Sequence, residues 1–204
     1  YENGNIKVEG PFLEGNEEGA WFFYYQDGFI DTKGEFSAGK EEGVWLDYYP
    51  SGKLKQESIY ADGEETGVWS QYYQNGVVQL KEEYEQGRLL NIIICQDSLT
   101  NNINYGSLKE GNGSVSRFFN SAKKSATGEY EDGLQEGMWS YFSEEGIKIS
   151  TGNFERGKRS GKWIYYNEEG NLEAEGYYSN DLMIGLWRFY DKEGVLKTEE
   201  VYER

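Results

Sequence analysis

The sequence contains no histidine and a single cysteine, Cys95, among its 204 residues. Without histidine the chain has no His-based metal site, no Ser-His-Asp triad and no imidazole general base, which removes the commonest catalytic machinery. One cysteine cannot form an internal disulfide, and a lone thiol fits both a reducing compartment and an exported protein. No apolar run approaches the roughly 18 residues needed to span a bilayer.

Basic residues are also scarce, with 20 Lys and Arg against 37 Asp and Glu, a formal net charge of −17. Nucleic acids and anionic lipids attract proteins through Lys and Arg side chains that release counterions from phosphates. We therefore expect no nucleic acid as a partner, and the charge disfavours an anionic membrane.

Aliphatic core residues are few, because only 37% of the chain is hydrophobic and aromatic residues make up 17% of the chain. Such a composition does not build a thick two-layer core. It is not typical of disorder either, since disordered chains are poor in aromatic residues. Tyrosine, tryptophan and glycine together indicate short strands and tight turns.

Six tryptophans mark an internal repeat of 24 residues. With each Trp at position 0, Gly stands at −2 and +7, an aromatic residue at +3 and +15, and in most units a further Gly at +18. The marker residues are Trp21, Trp45, Trp69, Trp139, Trp163 and Trp187. The longer gap after Trp69 has room for two weaker units, one centred on Ile93 and one with Val115 in the tryptophan position.

The repeat predicts one array over the whole chain. Its parts are a leading half repeat (1–18), three regular repeats (19–87), a degenerate repeat (88–112), a weakened repeat (113–133) and three regular repeats (134–204).

Each unit is predicted to be a β-hairpin. Asp-Gly, Asn-Gly and Glu-Gly pairs supply the positive φ values that tight hairpin turns need, and each glycine in a helix interior would cost about 1 kcal/mol. The predicted fold is all-β, an elongated single antiparallel sheet of consecutive hairpins of about 24 residues. The recurring rings are expected to hold this thin sheet together, because a buried aromatic side chain removes roughly 150–250 Å² from water.

Paired carboxylates are the remaining catalytic option. Glu41-Glu42, Glu64-Glu65 and Glu168-Glu169 recur at what are expected to be equivalent turn positions, whereas a glycosidase needs one distinct pair across a cleft. The EF-hand pattern and the Gly-rich phosphate loop are absent from the sequence. We therefore expect no enzyme activity, no metal site and no cofactor.

Aromatic residues that vary between repeats are better candidates for binding a partner. They occupy position +4 in earlier repeats and +2 in later ones: Tyr25, Tyr49, Tyr73, Phe119, Tyr141, Tyr165 and Phe189. In a regular strand both positions share a face with Trp. Two interpretations stay open. The rings either compensate one another in packing or form a laterally shifting stripe that binds a protein, peptide or glycan.

The irregular stretch 88–112 replaces the aromatic pattern with aliphatic residues followed by a polar loop. It is either a degenerate hairpin or a place where a partner docks, since function in repeat proteins is expected where the repeat is broken.

The unit G-x-W-x-x-Y-x-x-x-G-x(7)-Y-x-x-G, as in Gly43 to Gly63, resembles the MORN-repeat variant of bacterial proteins often labelled YwqK-type antitoxins. The resemblance implies a bacterial, non-catalytic scaffold of β-hairpin repeats for protein–protein interaction, antitoxin-like as the family name says. Eukaryotic relatives of the repeat are associated with membranes and phospholipids, and the acidic charge of this chain departs from that use.

A second resemblance is to choline-binding and other cell-wall-binding repeats, which also pair Gly with Trp-Tyr-Tyr runs. It implies a module of the cell envelope that binds glycan or wall polymer through an aromatic stripe. Those repeats have a shorter unit, so the 24-residue period of this chain favours the first resemblance. The sequence begins at Tyr1 without Met, so we expect that a leading segment has been removed, and a location in the envelope or outside the cell is favoured over the cytoplasm.

Overall fold

The computed structural model describes residues 1–203, and every regular element in that range is a β-strand. The same range holds no helix long and apolar enough to cross a bilayer. The first ten strands are β1 (Val8–Glu9), β2 (Phe12–Leu13), β3 (Asn16–Glu17), β4 (Gly19–Tyr24), β5 (Ile30–Ser37), β6 (Lys40–Tyr48), β7 (Leu54–Ala61), β8 (Glu64–Tyr72), β9 (Val78–Glu85) and β10 (Arg88–Cys95). The other eight are β11 (Gly113–Phe118), β12 (Lys124–Glu131), β13 (Leu134–Phe142), β14 (Lys148–Glu155), β15 (Lys158–Tyr166), β16 (Leu172–Ser179), β17 (Leu182–Tyr190) and β18 (Leu196–Tyr202).

The strands form two separate eight-stranded antiparallel sheets. In one the order is β1-β4-β5-β6-β7-β8-β9-β10, and in the other it runs from β11 to β18 in sequence; β2 and β3 pair as a small hairpin. The sheets belong to two compact units, residues 1–103 (the N-terminal unit) and 104–204 (the C-terminal unit). The predicted all-β fold of consecutive antiparallel hairpins is confirmed.

The sequence predicts a single sheet, whereas the structure has two, because residues 96–112 form isolated bridges instead of strands. Asp97 closes a tight loop there. Its carboxylate accepts hydrogen bonds from the backbone N–H groups of Leu99 (2.8 Å) and Asn101 (2.9 Å). A side chain that satisfies local N–H groups competes with strand pairing. The division between the units therefore falls inside the segment 88–112.

Two-residue turns join the second strand of a repeat to the next repeat. Asp62 (φ 54°) and Gly63 (φ 81°) both adopt the left-handed conformation that the tightest hairpin turn requires. The Gly63 N–H donates to the carbonyl of Glu41, which lies beside the preceding turn (3.0 Å). Equivalent bonds recur in both units, so the turns of successive repeats are tied to each other.

A glycine lies beneath the tryptophan of the next repeat. The pairing of β5 with β6 is irregular between Lys33 and Glu35, which leaves Gly34 opposite the bulge that contains Trp45. A Cβ on Gly34 would lie 2.1 Å from the indole of Trp45, so only glycine leaves room for the ring. The same arrangement recurs at Gly10, Gly128, Gly152 and Gly176.

Each unit contains a ladder of aromatic rings. Tryptophans alternate edge-to-face with the aromatic residues at +15, as in Phe154–Trp163 (5.2 Å, 83°) and Tyr178–Trp187 (5.1 Å, 82°). Such geometry adds about 0.5–1.5 kcal/mol per pair to the energy of burial. We call the side of each sheet that carries Trp and the +15 rings the tryptophan face, and the opposite side the outer face.

The degenerate repeat also departs from the prediction in which of its residues is buried. The sequence places Ile93 where Trp stands in other repeats, but Ile93 is 52% exposed, whereas Leu89 (2%) and Ile92 (4%) are buried. The pairing of β9 with β10 shifts register twice, between Leu89 and Asn91 and between Ile92 and Ile94. The shifts turn Ile92 inward in place of its neighbour.

Candidate partner-binding surface

The +4 tyrosines of the N-terminal unit bind the backbone of the next repeat. Tyr25 donates a hydrogen bond from its hydroxyl to the carbonyl of Tyr48 (2.6 Å). Tyr49 makes the equivalent bond at 2.6 Å, and Tyr73, which is buried, makes it at 3.0 Å. Burial raises the pKa of all three hydroxyls. Phe119, at +4 in the weakened repeat, is half-buried and has no hydroxyl to make this bond.

The +2 rings of the C-terminal unit lie between successive tryptophans. Tyr141 is 6.1 Å from Trp139 and 6.3 Å from Trp163, measured between ring centroids. Tyr165 takes the same place one repeat later, and Phe189 stacks on the last tryptophan of the chain. These side chains extend the aromatic ladder sideways.

Sequence reasoning missed one ring of this kind. Phe23 occupies +2 in the first regular repeat and lies 6.3 Å from Trp21 and 6.2 Å from Trp45, again between centroids. Its position in the repeat could have revealed it, because Phe23 stands at +2 like the rings of the later repeats. This repeat therefore has a ring at both +2 and +4, where Tyr25 stands.

In two repeats of the C-terminal unit with a ring at +2, the side chain at +4 accepts a hydrogen bond from a nearby backbone N–H group. Asn167 accepts a hydrogen bond from the backbone N–H of Asn171 (2.9 Å), and Asp191 accepts one from Val195 (2.8 Å). Six of the seven candidate rings thus divide between two packing arrangements, and Phe119 makes neither contact within residues 1–203. That they also form a partner-binding stripe stays a prediction, and the tyrosine hydroxyls at +4 are already occupied.

Neighbouring carboxylates beside the turns have separate roles. Glu42 accepts a hydrogen bond from the backbone N–H of Asp62 (3.0 Å), and Glu136 accepts the equivalent bond at 2.8 Å. Glu41, beside Glu42 in sequence, pairs directly with Phe36, whose ring contacts a tryptophan. Neighbouring residues of a strand point to opposite faces. One carboxylate therefore supports a turn, and the other lies on the tryptophan face.

An acidic column follows the tryptophan face of the N-terminal unit. Glu17, Glu41 and Glu65 occupy position −4 in three successive repeats and are half-buried. Glu65 pairs directly with Tyr60 on the adjacent strand. Burial, and then the negative charges of Glu65 and Glu41, raise the pKa of the Tyr60 hydroxyl. Tyr60 therefore lies within the field of two carboxylates.

The same column is different in the C-terminal unit. Its members are Gln135, Arg159 and Met183. The guanidinium of Arg159 lies 4.2 Å from the ring centroid of Tyr178, and its Nε donates to Asp181 at 3.0 Å. The backbone N–H and the guanidinium of Arg159 lower the pKa of the Asp181 carboxyl. Here a basic side chain of the protein itself covers the +15 ring.

The outer face carries exposed apolar side chains and an ion network. Its exposed apolar residues include Val44, Val68, Met138, Tyr177 and Leu186. In the C-terminal unit Glu175 pairs with Lys162 (2.8 Å) and accepts a hydrogen bond from Tyr190 (2.9 Å). Arg188 pairs with Glu199 (2.9 Å). Lys162 chiefly, then Tyr190 and the charge of Arg188, lower the pKa of Glu175. Two basic residues of this face are thus paired with carboxylates.

An open depression of about 520 Å³ lies over one turn of the C-terminal unit, and its lining includes Glu168, Glu169 and Lys192. This turn lies within a repeat, at +5 and +6, so the expectation that Glu168-Glu169 is equivalent to Glu41-Glu42 is wrong.

No group of three or more cysteine, aspartate or glutamate side chains within residues 1–203 is placed to hold a metal ion.

Four segments of the chain match the family model of the MORN repeat variant: residues 41–62, 65–86, 159–180 and 183–204. The matches lie as two adjacent copies in each unit, and each begins in the first strand of a hairpin and continues through the second. The MORN-type repeat is therefore confirmed at these four positions.

No curated protein matches the chain. Solved structures with weak similarity include "Crystal Structure of TcdB2-TccC3-Cdc42", at 10% identity and a TM-score of 0.18, over 94% of this chain and 13% of that one. Another is "Crystal Structure of TcdB2-TccC3", at 10% identity and a TM-score of 0.17, over 88% of this chain and 14% of that one. This chain thus spans a small part of their length, and TM-scores this low do not establish a common fold.

Proposed function

We propose that the protein is a non-catalytic repeat scaffold that binds a partner protein through a face of its sheets. The observation that carries the proposal is the alignment of equivalent side chains in columns, such as Glu41 and Glu65 of one sheet. Equivalent positions lie two strands apart, so a column repeats about every 10 Å. A surface of this kind offers the same contact several times to one extended partner.

The use of the polar side chains supports a scaffold over an enzyme. Glu42 and Glu136 bind the turns of neighbouring repeats, and the +4 tyrosines bind backbone carbonyls. A catalytic group is instead expected at one place, with its pKa adjusted for its task. Repetition of the same contact along the sheet indicates that these side chains stabilise the fold.

The charge supports a protein partner with basic residues. At a net charge of −17 the chain attracts positively charged surfaces and repels nucleic acid and anionic lipid. If the bacterial antitoxin resemblance extends to function, the partner is a toxin that the scaffold neutralises. Expression of the captured partner with and without the scaffold distinguishes a toxin from an ordinary binding partner. Only a toxin arrests growth when it is expressed alone.

Immobilised protein tests the proposal against binding to wall polymer. We expect a protein from native extract to be retained, identified by mass spectrometry and then shown to bind in purified form with a defined stoichiometry. Retention of the scaffold on cell-wall or polysaccharide resin, with no purified protein partner, would contradict the proposal and favour the glycan-binding alternative. A purified partner that binds unfolded scaffold equally well would also contradict it.

A further inference from the structure

One repeat of the C-terminal unit contains a basic residue over its aromatic ladder, together with a counter-ion. Arg159 stands at −4 and covers Tyr178, and Asp181 occupies position +18, where glycine stands in most repeats. The ion pair lies beside the turn, with 3.0 Å between Arg159 Nε and Asp181 Oδ1. In this fold a guanidinium, that of Arg159, thus binds against an aromatic ring and a neighbouring carboxylate at the same time.

The corresponding repeats of the N-terminal unit have the acidic and aromatic parts of this arrangement and lack the basic one. Position −4 is Glu41 or Glu65, and the matching +18 positions are glycine. Within residues 1–203 neither glutamate makes an ion pair. Tyr60 pairs with Glu65 on one neighbouring strand and with Gly43, two residues from Glu41, on the other, and both carboxylates raise the pKa of its hydroxyl. A cation is therefore favoured beside this ring.

The neighbouring ladder is also less covered here. Position +2 holds Asp47 and Gln71 in place of rings, and Thr32 donates a hydrogen bond to Asp47 (2.7 Å). Trp69 is half-buried, whereas the other five tryptophans are buried. We name five residues of this face the acidic aromatic strip: Glu41, Asp47, Tyr60, Glu65 and Trp69.

We infer that the acidic aromatic strip binds an arginine-bearing segment of a partner protein, an inference that rests on the proposed function. One guanidinium lies against the Tyr60 ring between Glu41 and Glu65, as Arg159 lies against Tyr178. Arginine fits better than lysine, because its planar group stacks on a ring and donates to carboxylates at the same time.

Charge complementarity supports this occupant. Residues 1–103 contain 19 acidic and 7 basic residues, a net charge of −12, whereas residues 104–204 contain 18 and 13, a net charge of −5. The N-terminal unit is the stronger attractor of cations. A basic segment is drawn to it at long range and held by the strip at short range.

The spacing of the acidic column specifies the segment further. Glu41 on β6 and Glu65 on β8 stand two strands apart in one sheet, which is about 10 Å. A segment in the polyproline II conformation advances about 3.1 Å per residue with three residues per turn, so residues i, i+3 and i+6 share one side and lie about 9 Å apart. The preferred segment is therefore extended in this conformation, with Arg at every third position.

A capped peptide, Arg-Pro-Pro-Arg-Pro-Pro-Arg, tests the inference by calorimetry or tryptophan fluorescence at low salt. The matched peptide carries citrulline, a neutral isostere, in place of each arginine. We expect the double variant Glu41→Gln/Glu65→Gln to weaken binding of the arginine peptide by about fivefold or more. The control Glu35→Gln/Glu57→Gln removes the same charge from the outer face, and we expect a change below about twofold.

Equal weakening by the two double variants would overturn the inference, because it would mean general attraction to an acidic protein. Binding of the citrulline peptide at the same affinity, or no binding of the arginine peptide, would overturn it too. If a purified partner still binds Glu41→Gln/Glu65→Gln with unchanged affinity, the proposed function stands and only this assignment of the surface fails.

A second variant fills the strip from within. Glu41→Arg/Gly63→Asp copies the Arg159–Asp181 pair into the N-terminal unit, where the introduced aspartate has to adopt the positive φ that Asp181 already shows (68°). We expect this variant to lose the peptide while circular dichroism shows the same β-sheet content. Unchanged peptide binding by the folded variant would contradict the inference.

Discussion

At the scale of the residue, the tightest constraint is the contact between glycine and indole. A Cβ on Gly152 would lie 2.1 Å from the Trp163 ring. Serine is accepted at the equivalent Ser58, where the paired indole is the half-buried one of Trp69. The need for glycine is therefore strictest where the ring is buried most completely.

We expect Gly152→Ala to lower the free energy of unfolding by about 3 kcal/mol or more, because the ladder cannot shift away from the new methyl group without losing other ring contacts. Urea denaturation followed by tryptophan fluorescence measures the change. The control is Gly146→Asn, a turn position with φ 86° and open space around it, where asparagine tolerates the left-handed conformation. A loss at Gly152 no larger than that at Gly146 would contradict the packing described.

The hydroxyl at +4 predicts a response to alkaline pH. Burial and the nearby carboxylate of Asp31 raise the pKa of Tyr25 to about 12, against about 10 in the unfolded chain. Only the unfolded chain loses this proton in that interval. The contribution of Tyr25 to stability is thus complete below about pH 10 and is lost as the pH rises through about 12.

Urea midpoints across this interval check the sign. We expect wild type to lose more stability than Tyr25→Phe between about pH 10 and 12. The difference between the tyrosinate absorbance titrations of the two proteins isolates Tyr25, and a difference curve centred near the ordinary pKa of tyrosine would refute the raised value.

At the scale of the element, strand β10 shows how a repeat survives without its tryptophan. Leu89 and Ile92 point inward and replace the indole with aliphatic volume. We expect Ile92→Ala to cost about 2–4 kcal/mol and Ile93→Ala, its exposed neighbour, less than about 1 kcal/mol. Chemical denaturation of both variants measures the pair. Similar losses would mean that the register shifts of β9 with β10 are wrong.

Sequence reasoning predicted the strands and turns well, because the signals are local. The Gly-bearing pairs specify the turns, as at Asp62-Gly63, and the Trp spacing specifies the period. Register is harder to predict, since a bulge adds residues without changing composition. The inward position of Ile92 depends on two such shifts, and no residue type in β10 indicates them.

The binding surface was predictable only in part for a similar reason. The seven variable rings are visible in the sequence, but the bond from Tyr49 to the next repeat depends on a backbone carbonyl, which carries no sequence signal. The exchange of Glu41 and Gly63 for Arg159 and Asp181 is also visible. That the two exchanged residues form an ion pair becomes clear only from the strand pairing, which places both positions beside one turn.

At the scale of the whole molecule, the two sheets predict two folding units. Each has its own ladder of rings and its own set of strand pairs. We expect fragments 1–103 and 104–204 to fold separately, with far-ultraviolet circular dichroism spectra that add up to the spectrum of the intact chain. A fragment that stays unfolded at neutral pH, while its complement folds, would contradict independent folding.

The contact of Gly34 with Trp45 joins strands of successive repeats. Where this contact is present, each repeat therefore packs its tryptophan on the glycine of the preceding repeat. As a result, gene slippage that removes one full period, for example 41–64, would set Trp69 directly above Gly34 and restore the ladder. A deletion one residue shorter or longer would move the indole off the glycine. The array can change its length only in whole steps, which makes copy number an easy trait for evolution to adjust.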